Sequence, residues 1–151
     1  MTQSMRPVRS VLYIPGSKER ALEKARGLAA DAIIFDLEDA VTPDAKAEAR
    51  TTLRAELDKG GYGQRMKIVR INGFETVWGR QDVEAMQGAD IDALLLPKVN
   101  SAYDLATLAE MIPDVPLWAM METPEGILNA REIAAHPRLA GIVMGTNDLV
   151  K

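Results

Sequence analysis

At 151 residues, with 47% hydrophobic and 26% charged side chains, the chain has the composition of a globular domain and enough length to bury one core. A net charge of −4 supplies no basic field for a polyanion, which argues against general nucleic-acid binding. The absence of cysteine excludes thiolate catalysis, cysteine-based zinc sites and disulfides, and fits a cytoplasmic setting. No apolar run approaches the ~20 residues of a membrane span, so no membrane partner is expected.

Residues 1–8 read as an N-terminal tail, with a single domain over 9–151. Short apolar runs then recur at Val11–Ile14, Ala32–Leu37, Lys67–Ile71, Ala93–Leu96, Leu117–Met121 and Gly141–Met144. They are continuously apolar rather than alternating, the pattern of parallel strands covered on both faces. Helical patterns separate them. After Ser17, Ala21, Leu22, Ala25, Leu28 and Ala29 share one face. Thr42-Pro43 and Thr123-Pro124 each put an N-cap residue before a proline at the first helical position. Trp78–Met86 is a thinner helical pattern ended by Gly88, and Leu105, Leu108, Ala109 and Ile112 follow a Ser101/Asp104 capping box.

A repeated βα unit with buried strands is either an open doubly wound sheet or a closed (β/α)8 TIM barrel. Polar groups stand just past nearly every run: Gly16-Ser17, Glu38-Asp39, Arg70 with Asn72, Lys98, Glu122 and Asn147-Asp148. A barrel directs all such ends to one mouth, whereas an open sheet gathers ligands at one switch point. The barrel is therefore expected. Because such barrels take ~250 residues, the chain is expected to be a barrel cut short after its sixth strand, with unpaired outer edges that favour association.

Several residues at these ends can carry chemistry. Glu122 and Asp148 are two carboxylates on successive units, a donor set that suits Mg²⁺, since this ion keeps waters and takes further oxygens from substrate. Each alone can instead be a surface ion pair or a helix cap. Arg70 closes a buried strand and needs an anion, either a substrate carboxylate held by its planar fork or Glu38 or Asp39 across the mouth. Asp36 reads as a structural hydrogen-bonding residue, with Glu38 and Asp39 as groups that orient substrate or metal-bound water. Lys98 can form a Schiff base if desolvated, although an ion pair with the mouth acids is the preferred reading. Lys18, Arg20 and Lys24 follow Pro15-Gly16-Ser17 and can meet phosphate or simply face solvent; neither the Walker nor the dinucleotide glycine spacing is present. His136 reads as a cation near a helix end, and the scattered methionines as core filler.

Taken in order, Arg9–Ser17, Asp36-Leu37-Glu38-Asp39-Ala40-Val41, Val69-Arg70-Ile71-Asn72, Leu96-Pro97-Lys98-Val99, Glu122-Thr123-Pro124 and Gly145-Thr146-Asn147-Asp148-Leu149 resemble the HpcH/HpaI aldolase/citrate lyase family, particularly its citrate lyase β-subunit-like branch. The resemblance implies a Mg²⁺-dependent carbon–carbon lyase that cleaves or forms a β-hydroxyacyl-CoA thioester of the citryl, malyl or citramalyl type. It implies Glu122 and Asp148 as metal ligands, with Glu122 also facing substrate, Arg70 as the substrate-binding arginine, and Glu38 and Asp39 as acids beside them. More loosely, it implies Tyr13, Lys18 and Lys24 as CoA contacts. The resemblance further implies a homo-oligomer, a trimer in complete form, and activity that a shortened chain lacks. The alternatives are an aldolase on free hydroxy-oxo acids and a non-catalytic assembly subunit.

Overall fold

A computed structural model describes residues 6–150. Most of the expected tail, residues 1–5, lies outside the described residues; Arg6 is anchored, donating from Nη2 to Asp92 Oδ1 at 2.6 Å.

The strands form where the β-branched runs stand: β1 Val11–Pro15, β2 Ala32–Asp36, β3 Met66–Arg70, β4 Ala93–Leu96, β5 Leu117–Met121 and β6 Leu139–Met144. Among the described residues they make one parallel sheet in the order β1-β2-β3-β4-β5-β6. Sequential order with a helical crossover after each of the first five strands is the arrangement of a (β/α)8 barrel; a doubly wound sheet would reverse its order at a switch point. The helices are α1 Glu19–Ala25, α2 Lys46–Lys59, α3 Gly79–Met86, α4 Ala102–Met111, α5 Pro124–Leu128, α6 Ala130–Ala134 and α7 Thr146–Leu149.

Local chemistry accounts for the helix ends, with two departures from expectation. Thr123 Oγ1 accepts from the Gly126 N–H and starts α5 as its Thr-Pro pair implies. Asp104 Oδ2 accepts from the Ser101 N–H at 3.0 Å, the return bond of the capping box. Thr42-Pro43, however, opens a 3₁₀ turn over Pro43–Ala45, and α2 begins only afterwards. Helix α1 stops at Ala25 rather than running to Ala29, and Lys18 instead of Ser17 stands at its N-cap.

Alternate residues of each strand face opposite ways. Ile33, Phe35, Val69, Leu94, Leu96 and Ala119 pack outward beneath the helices with Leu22, Leu53, Val83 and Leu105. Ala32, Ile34, Ile68, Ala93, Leu95, Trp118 and Met120 fill the concave side. Two buried faces explain the unbroken apolar runs of β2 to β5, and each fully buried Ile or Leu contributes about 1.5–3 kcal/mol. The outer strands differ: Val11, Leu12 and Tyr13 of β1, and Ile142 and Met144 of β6, are exposed. Each of these strands has a neighbour on one side only among the described residues, which leaves the unpaired outer edges that the sequence implies.

Gly141 is needed for packing. A Cβ there would come within 2.3 Å of the Trp118 ring, so glycine lets the indole lie flat against β6, where the β5–β6 register also shifts.

Candidate active site at the strand ends

Backbone hydrogen bonds run past the C-terminal ends of the strands and lock the next residues in register. The Gly16 N–H donates to Asp36 O, Leu37 to Arg70 O, Ile71 to Leu95 O, Val99 to Met120 O and Gly145 to Met121 O. The polar residues that follow each strand therefore stand on rigid backbone. Several of them line an open cavity of about 500 Å³ formed by Tyr13, Asp36, Asp39, Arg70, Glu122 and the 143–148 segment, while Glu38, Asn72 and Lys98 line a neighbouring one.

Arg70 is buried at its centre. Its Nε and Nη2 donate to the two oxygens of Asp36 at 2.7 and 2.6 Å, a bidentate pair. Its Nη1 stands 3.0 Å from Glu38 Oε2 and 3.8 Å from Asp39 Oδ2. Burial opposes the guanidinium charge, but the Asp36 hydrogen bonds and the charges of Asp36 and Glu38 hold the Arg70 pKa above its ordinary value. The planar fork expected to grip a substrate carboxylate is thus closed on Asp36. The sequence offered Glu38 or Asp39 as intramolecular partners, whereas the tightest one is Asp36, the strand residue directly in register with Arg70. Asp36 also accepts from the Glu38 and Ala40 backbone N–H groups, so its structural reading holds.

Tyr13 lies in the same mouth. Its ring sits 5.0 Å from the Arg70 guanidinium carbon, a cation–π contact, and its hydroxyl donates to Met120 Sδ. Burial raises the Tyr13 pKa, partly offset by Arg70. Lys18, at the N-cap of α1, and Lys24, on α1, are grouped with Tyr13 in the sequence but are exposed and do not line this cavity.

Lys98 follows β4 and donates from Nζ to Glu38 Oε1 at 2.6 Å, the preferred ion pair. Burial works against its charge, but the Glu38 hydrogen bond and charge, with Glu122 and Asp39 behind them, raise its pKa. That environment keeps the amine protonated and unsuited to Schiff-base attack. Glu122 is buried at the end of β5 and accepts the Lys98 backbone N–H at Oε1, 2.8 Å away. Burial is the main cause of its raised pKa; the Lys98 N–H opposes the shift, while Glu38 and Asp148 reinforce it. Its other oxygen lies over Gly145, where an added Cβ would meet Oε2 at 2.6 Å and Glu122 Cβ at 2.5 Å. Glycine there lets the loop leading to Asp148 close over Glu122.

A buried brace behind the acids was not read from the sequence. Lys46 donates from Nζ to the carbonyls of Leu37 and Glu38 at 3.0 and 2.7 Å and lies 5.2 Å from the Trp78 ring. Asn72 Nδ2 donates to Leu37 O and to Asp82 Oδ2, and Asp82 is paired with Arg50 at 2.9 Å. Asp82 on the otherwise apolar face of α3 is the one signal that marked it, since a buried carboxylate requires partners. His136 accepts the Arg138 N–H away from the mouth.

An all-parallel, sequentially ordered βα sheet with its acids, arginine and lysine at the C-terminal strand ends is the architecture of the (β/α)8 barrel class. Residues 9–151 match the family model HpcH/HpaI aldolase/citrate lyase, and the chain belongs to that family. It is 66% identical over its whole length to a (3S)-malyl-CoA thioesterase of Cereibacter sphaeroides (strain ATCC 17025 / ATH 2.4.3), covering 53% of that protein. It is 35% identical, over 95% of its length and 49% of the relative's, to an L-malyl-CoA/beta-methylmalyl-CoA lyase of Cereibacter sphaeroides (strain ATCC 17029 / ATH 2.4.9). Among solved structures, the CitE protein of Mycobacterium tuberculosis in complex with magnesium, acetoacetate and coenzyme A superposes with a TM-score of 0.82 at 34% identity, over 97% of this chain and 52% of that one. The chain spans about half the length of the curated relatives it matches. No helix of the described residues is long and apolar enough to cross a membrane.

Proposed function

We propose that the protein acts on a malyl-type CoA thioester in a Mg²⁺-dependent site, as a lyase that breaks or makes the bond between the carbinol carbon and the thioester α-carbon. The observation that carries this reading is the convergence of Glu122 and the Asp148 loop on one oxygen-lined mouth beside Arg70. Relatives named for malyl-CoA, and a solved neighbour holding magnesium and coenzyme A, support the substrate and metal. They favour a thioester over a free hydroxy-oxo acid and an enzyme over an assembly subunit.

The donor set fits the ion. No group of three or more His, Cys, Asp or Glu side chains is arranged to hold a metal among the described residues, but Mg²⁺ takes only one or two carboxylates and completes its sphere with water and substrate. Asp36, Glu38, Asp39, Glu122 and Asp148 gather at these strand ends, where Arg70 is paired with Asp36 and Glu38, and Lys98 with Glu38. Glu122 and Asp148 would hold the ion, whose bound form supplies Lewis acidity to the substrate hydroxyl and carboxylate oxygens. Arg70, still bearing N–H donors beyond those given to Asp36, would hold the substrate carboxylate, with Tyr13 stacked on its face. Glu38 and Asp39 would orient water and substrate. Lys18 and Lys24, with Tyr13, would meet the CoA portion.

In cleavage the substrate hydroxyl gives up its proton and becomes the carbonyl of an oxo acid as the carbon–carbon bond breaks, and the α-carbon leaves as an acyl-CoA enolate that takes up a proton. Thioester hydrolysis is a second reading, favoured by the 66% identity to a thioesterase; it would release free CoA and a hydroxy diacid. A CoA thioester substrate supports a cytoplasmic setting, and membership of this family supports a homo-oligomer, with a trimer as the proposed form.

The test is to give the full protein a malyl-type thioester and separate the products. Oxo acid with acyl-CoA supports the lyase, while free CoA with hydroxy diacid supports hydrolysis. Glu122→Gln and Asp148→Asn should each abolish stoichiometric Mn²⁺ binding and most turnover. Full activity after exhaustive chelation would overturn the metal assignment.

A further inference from the structure

Among the described residues Lys98 is the one non-glycine with positive φ, at 50°. That left-handed conformation is unfavourable for an L-residue, and glycine would adopt it without strain. A lysine held there signals that its side chain does something glycine cannot. The turn aims two groups of one residue at two acids. The backbone N–H meets Glu122 Oε1 after β5, and the ammonium meets Glu38 Oε1 after β2. Glu38 then stands between two cations, its Oε1 hydrogen-bonded to the ammonium and its Oε2 3.0 Å from Arg70 Nη1 in an ion pair that lacks hydrogen-bond geometry. Glu122 is left with Oε2 beside the Gly145 loop.

We infer that Lys98 is a positioning residue that keeps Glu38 committed to Arg70 and away from the divalent cation, so that Glu122 and Asp148 alone hold the ion and its remaining positions stay open to substrate. The inference rests on the metal reading above and deepens it. The buried Glu38 carboxylate lies one residue's span from Glu122, since Lys98 bonds Glu122 through its N–H and Glu38 through its ammonium. Released from Lys98, Glu38 would be a third carboxylate beside the ion, and extra anionic ligands tighten divalent binding while filling positions that substrate oxygens need. Metal affinity and turnover should therefore move in opposite directions, which a merely structural lysine would not produce.

The experiment compares the full wild-type protein with Lys98→Met, Lys98→Gly and Lys98→Arg. Mn²⁺ binding is followed by electron paramagnetic resonance and titration calorimetry, and turnover is measured at saturating Mg²⁺. Lys98→Gly retains the N–H and relieves the backbone, so it guards against misfolding of the Met variant. The expected result is Mn²⁺ binding several-fold tighter in the Met and Gly variants, with kcat/KM lowered about tenfold or more, the scale of one charged hydrogen bond. Arg should restore most of the activity, and Glu38→Gln added to Lys98→Met should return Mn²⁺ affinity toward the wild-type value. Unchanged or weaker Mn²⁺ binding in both the Met and Gly variants would overturn the inference, as would full activity in them. If wild-type protein binds no Mn²⁺, or Glu122→Gln leaves binding unchanged, the metal reading itself fails and the inference fails with it.

Discussion

Replacing Asp36 with alanine tests how the mouth is held together. Asp36 is buried, receives two charged hydrogen bonds from Arg70, and accepts the buried Glu38 N–H at 2.8 Å. Truncation leaves a buried guanidinium with only Glu38 within 3.0 Å, Asp39 being exposed and 3.8 Å away. Breaking one side of a buried ion pair costs about 3–5 kcal/mol, a large part of the ~5–15 kcal/mol that stabilises a domain. The orphaned Glu38 N–H can add about 1–3 kcal/mol. Equilibrium unfolding of the full protein in urea should therefore show the midpoint falling by an amount equivalent to at least ~3 kcal/mol. Asp36→Ala combined with Arg70→Met should recover at least ~2 kcal/mol of that, because removing both charges eliminates the stranded one. A single-variant loss below ~1 kcal/mol, or a double variant no better than the single, would refute the claim that Asp36 is the principal counter-ion.

Two further outcomes follow from local geometry. Gly145 has φ −90°, which alanine accepts, so any effect of Gly145→Ala is steric: its Cβ must displace Glu122, at an overpacking cost of about 1–3 kcal/mol. Loss of Mn²⁺ binding with the fold retained is expected, and undiminished binding would count against the close approach of this loop to Glu122. On α2, a hydrogen bond from Lys59, together with Arg26, holds the Glu56 carboxyl below its ordinary pKa of 4.5 despite burial. Because the folded value is the lower one, Glu56 contributes its full stability above about pH 4.5 and loses it as the pH falls through the folded pKa. Glu56→Gln should flatten that part of the acid limb in unfolding titrations; an unaltered limb would contradict it.

The sequence by itself determined the strands and their parallel pairing, because a strand covered on both faces must be apolar throughout and a βα repeat leaves few topologies. It also placed polar groups at every strand end, and the Thr123 and Asp104 caps were legible because capping depends on neighbours within three residues. Only the tertiary structure decided which acid meets which base. Asp36, Arg70, Lys98 and Glu122 are separated by 24 to 34 residues along the chain where they bond, and their pairing follows from the register and coiling of the sheet. Sequence could rank Glu38 or Asp39 as the partner of Arg70 by charge alone, but β2–β3 register puts Asp36 beside it. The left-handed turn at Lys98 and the stacking of Tyr13 on Arg70 were hidden for the same reason: each is set by the curvature that brings distant strand ends together, which no local pattern encodes.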